Sequence, residues 1–219
     1  IIATPGLLLE AHYQIENCSF IDNSATESGS MYINGGNYLS VNGDKVTINI
    51  IHCAFINSSS LRSGGAVYIG RYIVSEISYS NFTHNQAIKS GGAIYYSEGL
   101  STKITHCTFF DNSAKDSGGM IFADANTFAV ISYSYFLCSN RIIQSAKDGL
   151  FIMISANLVL RKSRFSLRKA TTNSLLQLQR NLNASKNSYL DFVQECPDWW
   201  YISFSDSYNN KTGLLGYIL

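Results

Sequence analysis

A phenylalanine recurs six times along this chain at nearly constant intervals, and this repeat restricts the fold more than any other feature. The steps between successive members are 35, 27, 27, 27 and 29 residues. Periods of about 20 to 50 residues are typical of solenoids, in which each unit buries its apolar face only against its neighbours. The members are Phe20, Phe55, Phe82, Phe109, Phe136 and Phe165.

Four other columns keep the same phase. An aliphatic residue stands five positions before each phenylalanine, and a small residue, Cys or Ser, stands two positions before it. An Asn follows three positions later in three units, and a Gly preceded by Ser follows nine positions later in four. The named members are Cys18, Cys53 and Cys107, then Asn23, Asn85 and Asn112, then Gly29, Gly64, Gly91 and Gly118.

The segments between these markers are short, rich in Ile, Val, Tyr and Phe, and broken by Gly, Asn and Ser, which is typical of strands. A helix would need a 3.6-residue period over a longer stretch than the glycines allow. About 27 residues suit a coil of three short strands and three turns, stacked on the next coil at the strand spacing. We therefore predict an all-β, right-handed parallel β-helix of roughly seven or eight coils.

The chain is short enough for one domain, and we predict a single β-helix over residues 1–219. Residues 1–14 would form its N-terminal edge, 15–170 carry recognisable repeats, and 171–219 form irregular coils or a cap. The chain opens without Met and stops inside an apolar run, so we expect it to be a fragment of a longer protein. Open solenoid ends recruit strands, so we expect self-association, a neighbouring subunit or further chain there.

Alternation along a strand predicts which columns face the interior. The Cys/Ser and Phe columns share parity and are both expected to point inward. The aliphatic column has the opposite parity, so either a corner lies between it and the small residue, or its strand is buried on both faces. We expect the Asn residues to adopt the left-handed conformation at a turn and to form ladders. The glycines would supply positive φ or close backbone approach.

Composition excludes several classes of function. The net charge is +1 and 14% of residues are charged, which argues against a nucleic-acid binder. No uncharged apolar run reaches about 18 residues, so no transmembrane helix is predicted. The five cysteines include no C-x-x-C pair, and neither a metal nor another cofactor is expected. Cys18 and Cys53 are expected to be free buried thiols. Cys138 and Cys196 are the candidate disulfide pair.

Candidate site residues are few. Asp22 and Asp111 share an outer-turn column but lie three coils apart, roughly 14 Å, which is too far for a catalytic carboxylate pair. His52 and His106 share a column with Asn17, Tyr79, Tyr133 and Lys162. One interpretation of this column is an outward aromatic stripe on which sugars or a partner protein stack. The other is ordinary strand surface. The basic stretch 161–169 is either a solvated face or a site for an acidic glycan or lipid headgroup.

Five N-x-S/T sequons occur, about as many as chance would give. Asn17 and Asn81 have parity opposite to the inward phenylalanines, so both are expected to face solvent and to carry N-glycans if a eukaryote secretes the protein. Asn57 would be accessible at a turn. All five candidates are Asn17, Asn57, Asn81, Asn183 and Asn210.

The paired motifs F-x-x-N and G-G-A-(I/V/L) resemble the repeats of chlamydial polymorphic outer membrane proteins. The resemblance is good over about residues 15–125 and loose over 126–170, and it departs at Phe55–Ser58 and Gly29–Ser30. It implies a β-helical passenger displayed at the cell surface and used in adhesion. The matching segments are Phe20–Asn23, Phe82–Asn85, Phe109–Asn112, Gly64–Val67, Gly91–Ile94 and Gly118–Ile121.

We therefore expect a non-catalytic, secreted or cell-surface structural or adhesive protein, such as a glycosylated filament or matrix component, with glycans as candidate partners. The alternative is a carbohydrate-active lyase or hydrolase on the same fold. Such an enzyme would need a cleft of clustered Asp with basic residues, and the acidic residues of this sequence are scattered.

Overall fold

The computed structural model describes residues 2–3, 10–35, 45–98, 101–124, 127–138, 152–154, 157–167, 176–180, 189–194 and 202–206. Regular structure in these ranges is entirely β, and the strands pair in parallel across successive coils. The protein is a parallel β-solenoid.

A twelve-stranded sheet carries two ladders of strands. Asn157–Leu167 pairs with the last strand of both ladders and joins them, and Tyr189–Gln194 pairs with it in turn. The Ile strands are Glu10–Glu16, Lys45–Ile51, Ile73–Ser78, Ser101–Thr105 and Phe128–Ser132. The Phe strands are Ser19–Ile21, Ala54–Ile56, Asn81–Thr83, Thr108–Phe110 and Tyr135–Cys138.

Two further sheets complete each coil, so a regular coil holds four strands and not the three predicted. The extra strand has only two residues and lies just before the glycine turn. These short strands are Ser24–Ala25, Ser59–Ser60, Gln86–Ala87 and Ser113–Ala114. The Tyr strands are Ile2–Ala3, Met31–Ile33, Val67–Ile69, Ile94–Tyr96, Ile121–Ala123, Ile152–Ile154, Leu176–Arg180 and Ile202–Asp206.

The Phe column sets the register of three regular turns. Phe55 pairs with Phe82, Phe82 with Phe109, and Phe109 with Phe136, so each turn advances the chain by 27 residues. Phe165 continues the register opposite Phe136. The hand of the winding and the total of seven or eight coils stay predictions.

The solenoid interior is built from ladders of identical residues. Phe55, Phe82, Phe109 and Phe136 are each 0% exposed, while Phe20 in the first coil is partly buried. Their rings stack with centroids 4.8–4.9 Å apart and planes within 5° of parallel. Offset ring pairs contribute about 0.5–1.5 kcal/mol each beyond their burial.

A corner explains how the aliphatic column can also point inward. Ile50, Ile77, Ile104 and Ile131 are all 0% exposed. Two residues after each of them the backbone takes a left-handed conformation, with φ of 52° at His52 and 50° at Tyr79. This corner reverses the alternation between the Ile and Phe strands, so the first of the two sequence alternatives is the one the chain adopts.

The asparagine column lies inside the solenoid and not in the left-handed conformation that we expected. The residue before it takes that conformation: His84 at φ 56° and Asp111 at φ 50°. Asn85 and Asn112 are 0% and 1% exposed, and the Asn85 amide donates to Asn112 Oδ1 at 2.8 Å and to the Phe55 carbonyl at 2.9 Å. The amides therefore satisfy buried backbone groups from coil to coil.

Three glycines have the predicted positive φ: Gly64 at 69°, Gly91 at 67° and Gly118 at 58°. Gly29 does not belong to their column. Met31 pairs with Val67, which places Gly29 opposite Gly65, where an added Cβ would lie 2.1 Å from the Gly65 carbonyl oxygen. The first coil is one residue shorter between its short strand and its Tyr strand, so counting from Phe20 assigns Gly29 to the wrong column.

The buried phenylalanine ladder leads to a stability prediction. Phe82→Ala should lower the free energy of unfolding by about 3–5 kcal/mol, because it removes a fully buried ring and its two stacked neighbours lose a partner. Phe128→Ala is the control, since Phe128 is 38% exposed and its loss should cost less than about 0.5 kcal/mol. Equal midpoints in urea unfolding for both variants would contradict the interior role of Phe82.

Candidate binding surface

Four aromatic side chains stack along the outside of the corner between the Ile and Phe strands. We call this set, His52, Tyr79, His106 and Tyr133, the corner ladder. Successive ring centroids lie 5.1, 4.8 and 5.0 Å apart, with interplanar angles between 4° and 18°. All four residues are exposed, Tyr79 by 52% and Tyr133 by 46%. The sequence placed these residues in one column, with Asn17 at the same corner in the first coil.

The stacking decides what the corner ladder can bind. Each inner ring is covered on both faces by its neighbours, so its faces cannot stack on a sugar, which was one of our two sequence interpretations. The ring edges remain toward solvent, and they carry the polar atoms: imidazole nitrogens alternate with phenol oxygens at close to the strand spacing.

The backbone at this corner is costly for a tyrosine. The left-handed conformation, with φ of 50° at Tyr79 and 51° at Tyr133, costs a non-glycine residue about 1–2 kcal/mol, and Asn tolerates it best. Asn17 takes it with φ of 54° in the first coil. His52 and His106 take the same conformation, with φ of 52° and 54°, so the left-handed backbone belongs to the turn of the solenoid at this corner.

A second corner follows the Phe strands and is polar and charged. Its left-handed residues are Asp22, Asn57, His84 and Asp111. The Asn57 amide donates to Asp22 Oδ1 at 2.7 Å, and His84 Nε2 lies 3.5 Å from Asp111 Oδ2. Asp22 and Asp111 thus lie on the outer turn and each contacts a neighbouring coil. The two carboxylates do not form a pair.

Ion pairs between neighbouring coils occupy other columns of the solenoid. Lys103 Nζ lies 2.7 Å from Glu76 Oε1 on the Ile strands, and Arg71 lies 2.8 Å from Glu98 beside the Tyr strands. Arg62 and Glu27 pair near the glycine turn. All six side chains are more than one third exposed, so each pair contributes at most about 1 kcal/mol. None of these six residues belongs to the corner ladder.

Sequence analysis missed a second outer ladder, on the Tyr strands. Tyr32, Tyr68, Tyr95 and Phe122 are half-buried and stack at 4.7–5.1 Å. Burial raises the pKa of the Tyr95 phenol, as it does that of Tyr68. The one-residue slip at Gly29 hid this column, because Tyr32 is twelve residues after its phenylalanine and Tyr68 is thirteen.

The cysteine column is reduced and faces the interior. Cys53 and Cys107 are buried, Cys18 is half-buried, and all three are free thiols. The Cys107 thiol donates to the Thr105 carbonyl at 3.3 Å, and serines occupy the same position in other coils, where Ser80 Oγ donates to the Ser78 carbonyl. Burial raises the pKa of Cys107 to about 12. These thiols are therefore small polar fillers in the core.

Other predicted site residues are distributed as follows. The sequons at Asn17, Asn57 and Asn81 are exposed, the first two at corners and the third on a Phe strand. Asn183, Asn210 and Cys196 lie outside the described residues, and Cys138 ends a Phe strand, so their roles stay predictions. The basic stretch 161–169 lies mostly in strand Asn157–Leu167.

Within the described ranges, no three His, Cys, Asp or Glu side chains are grouped closely enough to hold a metal ion. A search of the same ranges found no helix with the length and hydropathy needed to cross a membrane.

One coil of the solenoid has a known counterpart. Residues 79–97 match the Chlamydia polymorphic membrane protein (Chlamydia_PMP) repeat. The segment begins at Tyr79 of the corner ladder and includes both motifs that suggested the resemblance, Phe82–Asn85 and Gly91–Ile94. The predicted resemblance to the polymorphic membrane protein repeat is confirmed for this coil. No curated protein and no solved structure matches the chain.

The raised pKa of Cys107 predicts a pH dependence. The folded thiol ionises near 12 and the unfolded one near 9.0, so the stabilisation is complete below pH 9 and is lost as pH rises toward 12. Between pH 8 and pH 10 the Cys107 thiol should therefore lower the free energy of unfolding by about 1 kcal/mol. Cys107→Ser cannot ionise and matches Ser80 and Ser134 of the same column.

The measurement is urea unfolding of the wild type and Cys107→Ser under reducing conditions at both pH values. Between pH 8 and pH 10 the free energy of unfolding should fall by about 1 kcal/mol more in the wild type than in the variant. An identical loss in the two proteins would mean that the Cys107 thiol is not the group responsible.

Proposed function

We propose that the protein is a non-catalytic, secreted or cell-surface β-solenoid with a structural or adhesive role. The observation that carries the proposal is the coil at residues 79–97, which matches a repeat of bacterial polymorphic membrane proteins and stacks in register with its neighbours. A rigid rod with repeated outer columns suits adhesion, since it displays the same chemistry many times along its length. The interior is filled with side chains, so the outer surface provides the contacts.

The proposal includes assembly at the ends of the rod. In the first coil, Glu10–Glu16 pairs only with Lys45–Ile51 among the described strands, and Phe20 stacks only on Phe55. Parallel strand edges accept further strands, so a filament or a neighbouring subunit would continue the same ladders. Light scattering of the purified chain should report a mass that grows with concentration, whereas a constant monomer mass would contradict this part.

Surface exposure is the direct test of the proposed role. Antibody raised against the purified chain should label intact cells of the source organism or their extracellular matrix, and mild external protease should remove the label. A cytosolic enzyme of the same cells serves as the control and should be labelled only after permeabilisation. Labelling of this protein that also requires permeabilisation would contradict the proposal.

An assay for polysaccharide cleavage separates the non-catalytic proposal from the enzymatic alternative. If the protein is non-catalytic, the purified chain should release neither unsaturated nor reducing ends from polygalacturonate, alginate or xylan during prolonged incubation. The described carboxylates support this expectation, because Asp22 and Asp111 lie on separate coils of an outer corner. Product release that is lost on mutation of one of these residues would favour the lyase or hydrolase.

Glycosylation is the remaining part of the proposal. If a eukaryote secretes the protein, we expect glycans at the exposed Asn17, Asn57 and Asn81. Asn57 donates its amide to Asp22 in the folded chain, so its glycan must be attached before folding or displace that bond. Peptide mass spectrometry with and without endoglycosidase should show the mass change at these sites, and bare asparagines at all three would contradict it.

A further inference from the structure

We propose that Cys18 and Cys53, on the first two coils of the solenoid, form a two-coordinate site for a soft monovalent cation, Cu(I). Sequence analysis expected no metal, because the five cysteines include no C-x-x-C pair. Coil stacking instead brings together two cysteines that lie 35 residues apart in the chain. The inference concerns the interior of the protein and does not depend on the proposed surface role.

Register places the two cysteines opposite each other. Ser19 pairs with Ala54, so the residues just before them, Cys18 and Cys53, are neighbours on adjacent coils. The Ala54 N–H donates to the Cys18 carbonyl at 2.9 Å, which holds the two backbones together at this point. The pair therefore belongs to the regular ladder and does not depend on a loop.

Both thiols have the same orientation. Each donates to the carbonyl oxygen two residues earlier: Cys18 Sγ to Glu16 at 3.2 Å, and Cys53 Sγ to Ile51 at 3.2 Å. Two side chains in equivalent positions on adjacent coils are displaced from each other by one coil spacing. The two side chains also interact directly.

The coil spacing suits a linear sulfur–metal–sulfur unit. A metal–thiolate bond is about 2.3 Å long, so an ion midway between two sulfurs holds them about 4.6 Å apart. Adjacent strands are separated by about 4.8 Å. The rings of Phe20 and Phe55, two residues further along the same strands, have centroids 4.9 Å apart. An ion between Cys18 and Cys53 therefore requires little movement of the backbone.

The same spacing disfavours a disulfide between the two residues. A disulfide needs Cβ atoms about 3.5–4.5 Å apart and sulfurs about 2.05 Å apart. Side chains in one column point the same way and start at the full strand spacing. The two sulfurs are therefore better placed to share an ion than to bond to each other.

The ligands select the ion. Thiolates favour soft ions such as Cu(I), whereas a structural Zn²⁺ takes four ligands. The described part of the chain has no group of three His, Cys, Asp or Glu that could hold a metal. Two thiolates suit Cu(I), which accepts linear coordination. Binding releases the two thiol protons to solvent and leaves the oxidation state of copper unchanged.

Burial gives the site both access and protection. Cys18 is half-buried and Cys53 is 2% exposed, so an ion enters at Cys18 and is then shielded on the side of Cys53. Cys107 is the internal comparison, since it lies in the same column between Ser80 and Ser134 and has no thiol on either adjacent coil. Serine is thus native to this column.

The test uses the whole chain, reduced and kept without oxygen, as wild type and as a Cys138→Ser/Cys196→Ser background that removes the cysteines outside the column. Cu(I) is supplied as its acetonitrile complex and titrated against the chromophoric chelator bicinchoninate. We expect the background protein to bind one Cu(I) per chain, with two sulfur neighbours in X-ray absorption. Ag(I), a redox-silent analogue, should bind with the same stoichiometry and raise the melting midpoint.

The variants are made in that background. Cys18→Ser and Cys53→Ser should each weaken Cu(I) binding about a hundredfold or more, because the gain from two connected ligands is lost. Cys107→Ser is the matched control and should bind as the background does. Circular dichroism spectra without metal should be the same for all these proteins.

Several outcomes would overturn the assignment: nitrogen or oxygen neighbours around copper, an equal loss of affinity in Cys107→Ser and Cys18→Ser, or tighter binding of Zn²⁺ than of Cu(I). Ready formation of a Cys18–Cys53 disulfide with oxidised glutathione, detected by peptide mass spectrometry, would also contradict the geometry. None of these results would bear on the surface location, which is measured by labelling intact cells.

Discussion

The parallel, in-register pairing of one coil on the next is the constraint from which the remaining structure follows. Each strand takes its hydrogen bonds from the equivalent strand one coil away, as Phe82 does from Phe55 and Phe109. Equivalent positions are then held at the strand spacing, and any side chain that repeats must form a ladder. The phenylalanine, asparagine and corner ladders are consequences of the same register.

Stacking imposes different demands inside and outside the solenoid. Inside, a polar residue is tolerated only if it satisfies its neighbours, and Asn85 does so by bonding both Asn112 and the Phe55 carbonyl. Outside, the rings of the corner ladder cover one another's faces and leave polar edges to solvent. The same spacing that makes a dense core therefore makes a stacked aromatic column on the outer surface.

Charge has a secondary role in this molecule. The exposed ion pairs join neighbouring coils, as Glu76 and Lys103 do, and contribute little to the free energy of folding. Like charges stacked in one column would oppose the register, so alternating signs help to select the correct alignment. The burial of aromatic and aliphatic ladders supplies the stabilisation, which explains how a chain with few charged residues folds into stacked coils.

The sequence by itself determined the solenoid, its period, the inward phenylalanine column and the outward position of His52 and Tyr79, because a side chain that recurs at one phase must stack. It also contained the motifs of the coil at residues 79–97. Only the tertiary structure decided three other features: the left-handed corner after Ile50, the slip that places Gly29 opposite Gly65, and the covered faces of the corner ladder. Periodicity records which residues share a column, but the direction of a side chain depends on backbone torsion at the corner. Which part of a ring reaches solvent depends on the neighbouring coil.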